Sequence, residues 1–394
     1  MAHSKMQFRD FGKIDWKVSA LGFGCMRLPT TDGNPLSKNI DEREATRMIR
    51  HAIDRGVDYL DTAYPYHEGK SEVLVGKVLR DGYREKVRVA TKSPVWLIKR
   101  QKDFDIHLKT QLRRLKTSYV DFYLLHGLNK KTWRDTVLKH NLLKRAEIAL
   151  KEGKIGHLGF SFHDDYDAFR EIIDGYDGWE FCQIQYNFMD IANQAGTKGL
   201  KYAASKGLAV VVMEPLLGGR LANPPSKIKK LFSEHEVKHS PADLALQWIW
   251  NHPEVSIILS GMSTMQQVRQ NIKSASSSGT GSMSKKELRF VDLLRSNYTA
   301  DMPISCTKCG YCMPCPHGLD IPGNFELYND GYIHDDMRTS QKTYKRFMSK
   351  EQRASGCRRC GKCEKKCPQK LPIMALMPQV HSVLGKGMTA QSAR

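Results

Sequence analysis

Residues 42–62 read EREATRMIRHAIDRGVDYLDT, in which a segment with helical periodicity leads into a short apolar run. The apolar residues of the first part recur every three or four positions, so they share one face of a helix. These residues are Ala45, Met48, Ile49, Ala52 and Ile53. The run Tyr59–Thr62 is typical of a short buried strand. The stretch therefore predicts one helix followed by one strand.

The same alternation recurs along the chain up to about Lys273. Apolar or β-branched runs qualify as strands at Ser19–Gly24, Tyr59–Thr62, Val87–Lys92, Phe122–His126, His157–Phe162, Phe181–Tyr186, Ala209–Glu214 and Ser256–Ser260. Strands that alternate with helices favour a parallel sheet. Eight such units in about 270 residues fit a closed (β/α)8 TIM barrel better than an open sheet. The predicted fold class is α/β.

The composition is that of a globular protein, with 394 residues of which 40% are hydrophobic and 26% charged. Its apolar runs are far shorter than the roughly 18 residues of a membrane-spanning helix, so no span is expected. The first residues lack the apolar core of a secretory signal, which makes the cytoplasm the expected location. Lys and Arg exceed Asp and Glu by 62 to 42, and the net charge of +20 raises nucleic acid as one candidate partner.

A Ser- and Gly-rich stretch, residues 274–282, follows the eighth unit and indicates a domain boundary. Ser284 and Glu287 have the spacing of a capping box, which begins a helix through Leu294. We therefore expect a barrel over residues 1–283, a linker helix with a second, cysteine-rich domain over 284–378, and a flexible tail over 379–394.

In such a barrel the functional residues lie at the carboxyl-terminal ends of the strands. Asp61 ends the second predicted strand, with Tyr66 five residues later, while Lys92 ends the third and His126 the fourth. These residues suit carbonyl reduction, because hydride addition leaves negative charge on the oxygen, which an acid must protonate. A nearby ammonium such as Lys92 would lower the pKa of a tyrosine acid, normally about 10. Asp61 would hold Lys92, and His126 would hydrogen-bond the substrate oxygen.

Three motifs resemble, in order and spacing, the catalytic motifs of the aldo-keto reductase family. They are Asp61-Thr62-Ala63-Tyr64-Pro65-Tyr66, Ala90-Thr91-Lys92 and Asp121-Phe122-Tyr123-Leu124-Leu125-His126. The resemblance extends from residue 7 to about residue 273. It implies that Tyr66 is the general acid, that Lys92 and Asp61 tune it, and that His126 orients the substrate. It also implies that NAD(P)H supplies the hydride.

Other positions resemble the cofactor-binding segments of the same family. The implied contacts are Ser161, Gln183 and Met213 for the nicotinamide, and Gly261, Ser263 and Asn271 for the pyrophosphate and adenine. Many relatives have a tyrosine where this chain has Met213, and core packing is an equally good interpretation of that residue. Arg269 is the nearest basic residue for a 2′-phosphate, so the sequence leaves NAD and NADP open.

Two sets of residues near these motifs have competing interpretations. Tyr64 competes with Tyr66 for the acid role on proximity alone, and the five-residue spacing from Asp61 favours Tyr66. The histidines at positions 51, 67 and 163 are expected to be ordinary surface or loop residues.

Eight of the ten cysteines fall in two runs between residues 306 and 367. The second run, Cys357-x2-Cys360-x2-Cys363-x3-Cys367-Pro368, has the bacterial ferredoxin spacing for a 4Fe–4S cluster. The first run, Cys306-x2-Cys309-x2-Cys312-x2-Cys315-Pro316, is one residue shorter before its last cysteine. In two-cluster ferredoxins the fourth cysteine of each run binds the other cluster. The expected ligand sets are Cys306, Cys309, Cys312 with Cys367, and Cys357, Cys360, Cys363 with Cys315.

Structural zinc is the alternative for these cysteines, since paired C-x2-C motifs also bind that ion. Zinc leaves the crowded triplets followed by Cys-Pro unexplained, so two 4Fe–4S clusters are favoured. The segment between the runs has helical periodicity, which indicates a small, mainly α-helical ferredoxin-like domain. Cys25 and Cys182 lie on predicted strands and are expected to be buried residues without a role.

The combination predicts an oxidoreductase that acts on a carbonyl or related small molecule and exchanges electrons through its clusters. Nicotinamides transfer two electrons as hydride, whereas iron–sulfur centres pass one at a time. Two alternatives therefore stay open: the clusters are structural, or the barrel holds a flavin and nicotinamide turnover is lost.

A third alternative is a redox-responsive binding protein that uses the basic segment 342–370. From Gln341 to Lys370 there are eleven Lys and Arg but two Asp and Glu. The segment has few aromatic residues on which bases could stack, so nucleic acid is disfavoured. We expect these cations to balance the negative clusters and to face an acidic electron carrier of ferredoxin or flavodoxin type.

Overall fold

The computed structural model describes residues 5–235, 237–300, 302–306 and 310–388. Eight parallel strands close into a barrel in which each strand pairs with the next along the chain and the last pairs with the first. The barrel strands are β3 (Leu21–Gly24), β4 (Tyr59–Asp61), β5 (Arg88–Ser93), β6 (Val120–Leu128), β7 (Ile155–Phe162), β8 (Phe181–Gln185), β9 (Ala209–Met213) and β10 (Ile257–Gly261). Ile258 of β10 lies opposite Leu21 of β3 where the barrel closes. The predicted (β/α)8 architecture is confirmed.

An antiparallel hairpin, β1 (Phe8–Phe11) and β2 (Ile14–Ser19), precedes the barrel and was not predicted. Phe11 packs in one core with the residues that begin several barrel strands, among them Tyr59 and Phe181. Its ring centroid lies 4.9 Å from that of Phe122. Gly12 turns the hairpin with φ +60°, and a Cβ there would lie 2.4 Å from the Ala209 amide nitrogen. The hairpin therefore covers the amino-terminal end of the barrel, opposite the functional end.

Helices alternate with the barrel strands. They are α1 (Glu42–Asp54), α2 (Lys70–Val78), α3 (Asp103–Leu115), α4 (Lys130–Thr132), α5 (Leu142–Lys151), α6 (Tyr166–Asp174), α7 (Gly196–Ser205), α8 (Ser226–Glu234), α9 (Pro241–Trp250) and α10 (Met265–Ser276). The predicted apolar face of α1 is buried, and the Asp41 side chain caps this helix by accepting from the Glu44 N–H.

The remaining helices follow the barrel: α11 (Lys285–Ala300), α12 (Ile321–Ile333), α13 (Met337–Phe347), α14 (Lys362–Lys366) and α15 (Ile373–Leu384). They confirm the expected α-helical character of the second domain. Helices α12, α13 and α15 share one core, which includes Phe325, Tyr344 and Met377. Several cysteines of both runs pack against this core.

The chain divides into two compact units. One comprises Met1–Ala222 and Lys238–Lys285, and the other comprises Asn223–Val237 and Lys286–Arg394. Helix α8 groups with the C-terminal unit although it lies within the barrel sequence. The Phe232 ring of α8 packs edge-on against Phe290 of α11, with centroids 5.2 Å apart.

The expected flexible tail over 379–394 is wrong for its first part. Helix α15 continues to Leu384, and Val380, Val383 and Leu384 are buried in the core of the C-terminal unit. These apolar side chains recur at helical spacing, so burial favours the helix over a loose end. Residues 389–394 lie outside the described residues. No helix in the described part of the chain is long and apolar enough to cross a membrane.

Candidate active site

The ends of β4 and β5 bring Asp61 and Lys92 together, as the sequence predicts. Lys92 is fully buried and Asp61 is 2% exposed. The Lys92 Nζ lies 2.6 Å from Asp61 Oδ1, 2.8 Å from the Thr62 carbonyl oxygen and 3.2 Å from Tyr66 Oη. An ammonium has three protons to donate, and all three have partners here. The Tyr66 oxygen therefore accepts from Lys92, which leaves its own proton for another acceptor.

In this cluster, burial and the charges of neighbouring groups shift the pKa values of Lys92 and Tyr66 in opposite directions. Burial alone would lower the pKa of Lys92, but Asp61 and Tyr66 raise it above its ordinary value, so the ammonium stays charged. Burial raises the pKa of Tyr66, while Lys92 acts in the opposite direction. The expected lowering by Lys92 is therefore present but smaller than the effect of burial in this structure.

His126, at the end of β6, lies beside this cluster. Its ring centroid is 6.1 Å from that of Tyr66 and 5.0 Å from that of Trp96, edge-on in both cases. Burial, followed by the charge of Lys92, holds the pKa of His126 well below its ordinary value. Its buried Nδ1 has no hydrogen-bond partner within the described residues. A neutral imidazole thus lies beside the Tyr66 ring.

The turn that carries Tyr66 is held by His67, which was expected to be a surface or loop residue; it lies in the turn but is buried. His67 Nε2 accepts the Leu28 backbone N–H at 3.2 Å. Its Nδ1 therefore carries the proton and donates to the Ser37 carbonyl oxygen at 2.6 Å. His67 itself has φ +50°, an uncommon backbone conformation outside glycine. This histidine fixes the tyrosine turn to the loop after β3, a role that local sequence does not reveal.

A buried polar network behind Lys92 was also missed. The Glu72 carboxylate, fully buried on α2, accepts from Gln111 Nε2 at 2.6 Å and pairs with Arg114 at 2.9 Å. Gln111 also donates to the Lys92 carbonyl oxygen at 3.0 Å. Arg114 in turn donates to the Tyr64 carbonyl oxygen at 3.3 Å. The network thereby links the backbone of the lysine strand to that of the tyrosine turn.

The residues expected near a nicotinamide lie at the ends of neighbouring strands. Ser161 Oγ on β7 accepts the Gly127 N–H at 2.8 Å. Gln183 on β8 directs its Nε2 to the Met213 sulfur on β9 at 3.5 Å, and its buried Oε1 has no partner within the described residues. An unpaired buried amide oxygen is costly, so it fits a ligand that brings a hydrogen-bond donor, as a carboxamide does.

The positions expected near the pyrophosphate are only partly available. Ser263 follows β10 and donates its hydroxyl to the Arg27 carbonyl oxygen at 2.7 Å. Asn271 is buried on α10 and donates one amide hydrogen to Ser260 Oγ at 2.9 Å. Gly261 is exposed at the end of β10.

Arg27 is a cation that the sequence analysis missed. Its stem would lie 3.4 Å from a Cβ at Gly261, and its guanidinium 3.4 Å from one at Gly218, so the side chain spans two glycine turns. Among the described residues its guanidinium has no hydrogen bond or ion pair. A half-buried, uncompensated arginine beside glycine turns suits an anionic group such as a phosphate.

In the C-terminal unit, cysteines from both runs line one small cavity. Cys306 and Cys312 come from the first run and Cys367 from the second, so three members of one expected ligand set lie around the same cavity. The apolar side chains of Ile321 and Phe325 form another part of the wall. Among the described residues no three metal-binding side chains converge on a single ion. Separated thiols around a cavity fit a cluster in which each iron takes one thiolate.

The other cysteines are placed as follows. Cys315, Cys357 and Cys363 are half-buried against the helical core, whereas Cys360 is exposed. Cys309 lies outside the described residues. Cys25 and Cys182 are buried in the barrel, as expected, and burial raises the pKa of both thiols. Neither thiol is therefore a ready nucleophile.

Residues 20–278 match the family model of the aldo/keto reductases. The chain belongs to the aldo/keto reductase family. Residues 305–371 match a 4Fe–4S dicluster domain, so the chain is an aldo/keto reductase, and hence an oxidoreductase, with an added iron–sulfur domain.

Two curated relatives of this aldo/keto reductase have names that state an activity. L-galactose dehydrogenase from Arabidopsis thaliana is 27% identical over 74% of this chain and 95% of its own length. Methylglyoxal reductase YeaE from Escherichia coli is 30% identical over 57% of this chain and 76% of its own length.

Solved structures of aldo-keto reductases also resemble this chain. The holo form of an aldo-keto reductase from Bacillus halodurans has a TM-score of 0.61 and 27% identity over 73% of this chain and 96% of its own. An aldo-keto reductase from Klebsiella pneumoniae, solved with NADPH, has a TM-score of 0.59 and shares the fold. It is 24% identical over 74% of this chain and 95% of its own.

Proposed function

We propose that this protein reduces the carbonyl group of a small molecule with a nicotinamide hydride at the barrel site. The observation that carries the proposal is the contact of one buried ammonium, Lys92, with both Asp61 and Tyr66. This arrangement holds a tyrosine proton at the functional end of the barrel while both charges remain paired. The bound nicotinamide would supply a hydride to the carbonyl carbon.

Residues of the barrel supply the proton for the carbonyl oxygen and hold the substrate in position. Tyr66 donates its hydroxyl proton to the carbonyl oxygen as the C=O double bond becomes a C–O single bond and the alcohol forms. Lys92 stabilises the resulting phenolate, because its ammonium already donates to that oxygen. His126, neutral and adjacent, hydrogen-bonds the same substrate oxygen and fixes its distance from Tyr66. Solvent then returns a proton to Tyr66.

Several residues would hold the nicotinamide dinucleotide. Ser161 and the unpaired Gln183 Oε1 would bind the carboxamide, and Met213 would pack against the ring. Arg27 with Gly261 and Ser263 would bind the phosphates. Asn271, which donates one amide hydrogen to Ser260, would contact the adenine with the rest of its amide group. The NADPH complex of the Klebsiella pneumoniae protein, which has the same fold, supports a cofactor of this class.

The C-terminal unit would bind two 4Fe–4S clusters and exchange electrons with an acidic carrier of ferredoxin or flavodoxin type. The cavity lined by Cys306, Cys312 and Cys367 supports the crossed ligand set of the first cluster. The second set would be Cys357, Cys360 and Cys363 with Cys315. A flavin in the barrel, which could divide a hydride into single electrons, is the alternative cofactor.

The test begins with anaerobic purification, iron, sulfide and zinc analysis, and extraction of organic cofactors. We expect about eight irons per chain, two cubanes of four, and no flavin. NADPH and NADH are then titrated by fluorescence and offered with aldehydes such as methylglyoxal. Consumption of the nicotinamide with one alcohol formed per cofactor supports the proposal. Stoichiometric flavin with no nicotinamide oxidation contradicts it.

A further inference from the structure

The second cysteine run presents an exposed thiol among exposed cations. Cys360 is the exposed member of the cysteines that the structure describes. The cations of this segment are all exposed and form what we call the basic rim: Arg358, Arg359, Lys362, Lys365, Lys366 and Lys370. Glu364 is the acidic residue of the segment, and its half-buried Oε1 accepts the Met374 N–H at 2.7 Å. The rim is therefore a patch of concentrated positive charge.

The basic rim differs from the cations on the barrel surface, many of which have acidic neighbours. Lys77 pairs with Glu42 at 2.6 Å, and Lys206 pairs with Asp174 at 2.8 Å. By contrast, no rim side chain makes an ion pair or hydrogen bond with any residue that the structure describes. Uncompensated surface charge of one sign attracts a partner of the opposite sign and accelerates its association.

We propose that the basic rim is the docking surface for an acidic one-electron carrier protein, which exchanges electrons with the cluster bound through Cys360. The inference rests on the proposed function, because it takes Cys360 as a cluster ligand. In the forward step the reduced carrier loses one electron and the cluster gains it, with no bond made or broken. The carrier leaves oxidised by one electron and the cluster is left reduced by one electron.

Two features favour a protein carrier over nucleic acid. An exposed ligand thiol places its cluster at the surface, where a docked redox centre comes within reach for electron transfer. The segment 357–370 also contains no aromatic residue, whereas single-stranded nucleic acid binding relies on aromatic side chains that stack on the bases. Electron-transfer complexes typically have small interfaces, and charge attraction guides the association of the two proteins.

The test uses the full-length holoprotein and a plant-type 2Fe–2S ferredoxin, an acidic protein, as the probe. Arg358→Glu/Arg359→Glu and Lys365→Glu/Lys366→Glu reverse the charge of the rim. Lys109→Glu/Lys144→Glu makes the same change at exposed positions of the barrel and serves as control. Affinity is measured anaerobically by calorimetry at low and physiological ionic strength. We expect each rim variant to bind at least about tenfold more weakly, and the control within about twofold of the parent.

Other measurements separate failure of this inference from failure of the proposed function. Iron content and NADPH oxidation should be unchanged in the rim variants. Iron-loaded rim variants that bind the ferredoxin like the parent would overturn the docking proposal alone. So would tighter binding of a DNA oligonucleotide than of the ferredoxin.

If the reversals lose iron, Arg358→Gln/Arg359→Gln keeps the test decisive. Unchanged ferredoxin affinity in that iron-loaded variant would assign the cations to cluster retention. A parent protein without iron refutes the clusters themselves.

Discussion

The barrel site and the cysteine-rich unit hold their functional groups in different ways. In the barrel, Lys92 already contacts Asp61 and Tyr66 at hydrogen-bond distance, and the surrounding strands impose that geometry. In the C-terminal unit, the thiols of Cys306, Cys312 and Cys367 stand around a cavity and do not converge. The first site is completed by protein contacts, whereas the second needs an inorganic core between its ligands. The two regions should therefore fail differently when disturbed.

The largest expected effect follows removal of iron. Chelation under denaturant-free conditions should abolish the cooperative unfolding transition of the C-terminal unit, because cluster binding contributes to its folding. The barrel should keep its own transition and its NADPH oxidation. Differential scanning calorimetry with iron analysis measures this. An unchanged melting profile after complete iron loss would show that the helical core alone stabilises the unit.

Tyr66→Phe tests the barrel site directly. Removal of the proton donor should lower kcat for carbonyl reduction by about 10²–10⁴-fold, as for loss of a general acid. Tyr64→Phe is the matched control, because it also removes one tyrosine hydroxyl from this turn. The Tyr64 ring packs against His107 at a centroid distance of 5.2 Å, and the substitution keeps that contact. Cluster absorption should be unchanged in both. Equal activity of the two variants would exclude Tyr66 as the acid.

Lys92→Met tests how far the barrel site depends on its ion pair. The substitution leaves the buried Asp61 carboxylate without its partner and should lower the free energy of unfolding by about 3–5 kcal/mol. Lys92→Met/Asp61→Asn should recover part of that loss but not the activity. Chemical denaturation of the barrel transition measures the change. A single variant as stable as the parent would show that Asp61 becomes neutral at little cost.

Leu384→Ala probes the helix that replaces the expected tail. Leu384 is fully buried, so its truncation should cost about 2–5 kcal/mol in the C-terminal unit alone. Ala375→Gln, at an exposed position of the same helix, should be nearly neutral. Thermal unfolding followed by cluster absorption measures both. Equal effects of the two substitutions would mean that this part of α15 does not support the unit.

The smallest effect concerns pH. Burial lowers the pKa of His67 from its ordinary value of 6.5, so the folded protein holds this histidine neutral. The unfolded chain binds the proton first as pH falls below that value, so stability present at neutral pH is lost on acidification. His67→Asn should cost about 1–3 kcal/mol near pH 8 through its lost hydrogen bonds. It should also show a shallower loss between pH 7 and 5, whereas parallel curves would contradict the assignment.

Residues with a local signature could be predicted from the sequence. The strand runs, the motif that contains Tyr66 and the cysteine spacing each encode their structure within a few positions. His67, Glu72 and Arg27 could not be found, because their partners Ser37, Gln111 and Gly218 are brought close only by the closed barrel. Burial, which decides how these residues pair, is a property of tertiary packing.

The expectation of a flexible tail from residue 379 was wrong for a different reason. Its apolar spacing, Met377, Val380 and Leu384, is helical and readable, but Pro378 interrupts it. Proline inside a helix removes a hydrogen bond and normally argues against one. Here Pro378 is exposed, and the burial of its neighbours outweighs that cost.

The assignment of α8 to the C-terminal unit has a consequence for how the molecule can be divided. The chain passes from one unit to the other three times, at residues 222–223, 237–238 and 285–286. A single cut, by protease or by a stop codon, therefore cannot yield two whole pieces. A barrel truncated after residue 285 would keep α8 but lose Phe290. The Phe232 ring would then be an exposed apolar side chain that promotes aggregation. A domain added at one end of the barrel would leave the barrel sequence continuous, whereas here residues 223–237, which group with the C-terminal unit, interrupt it.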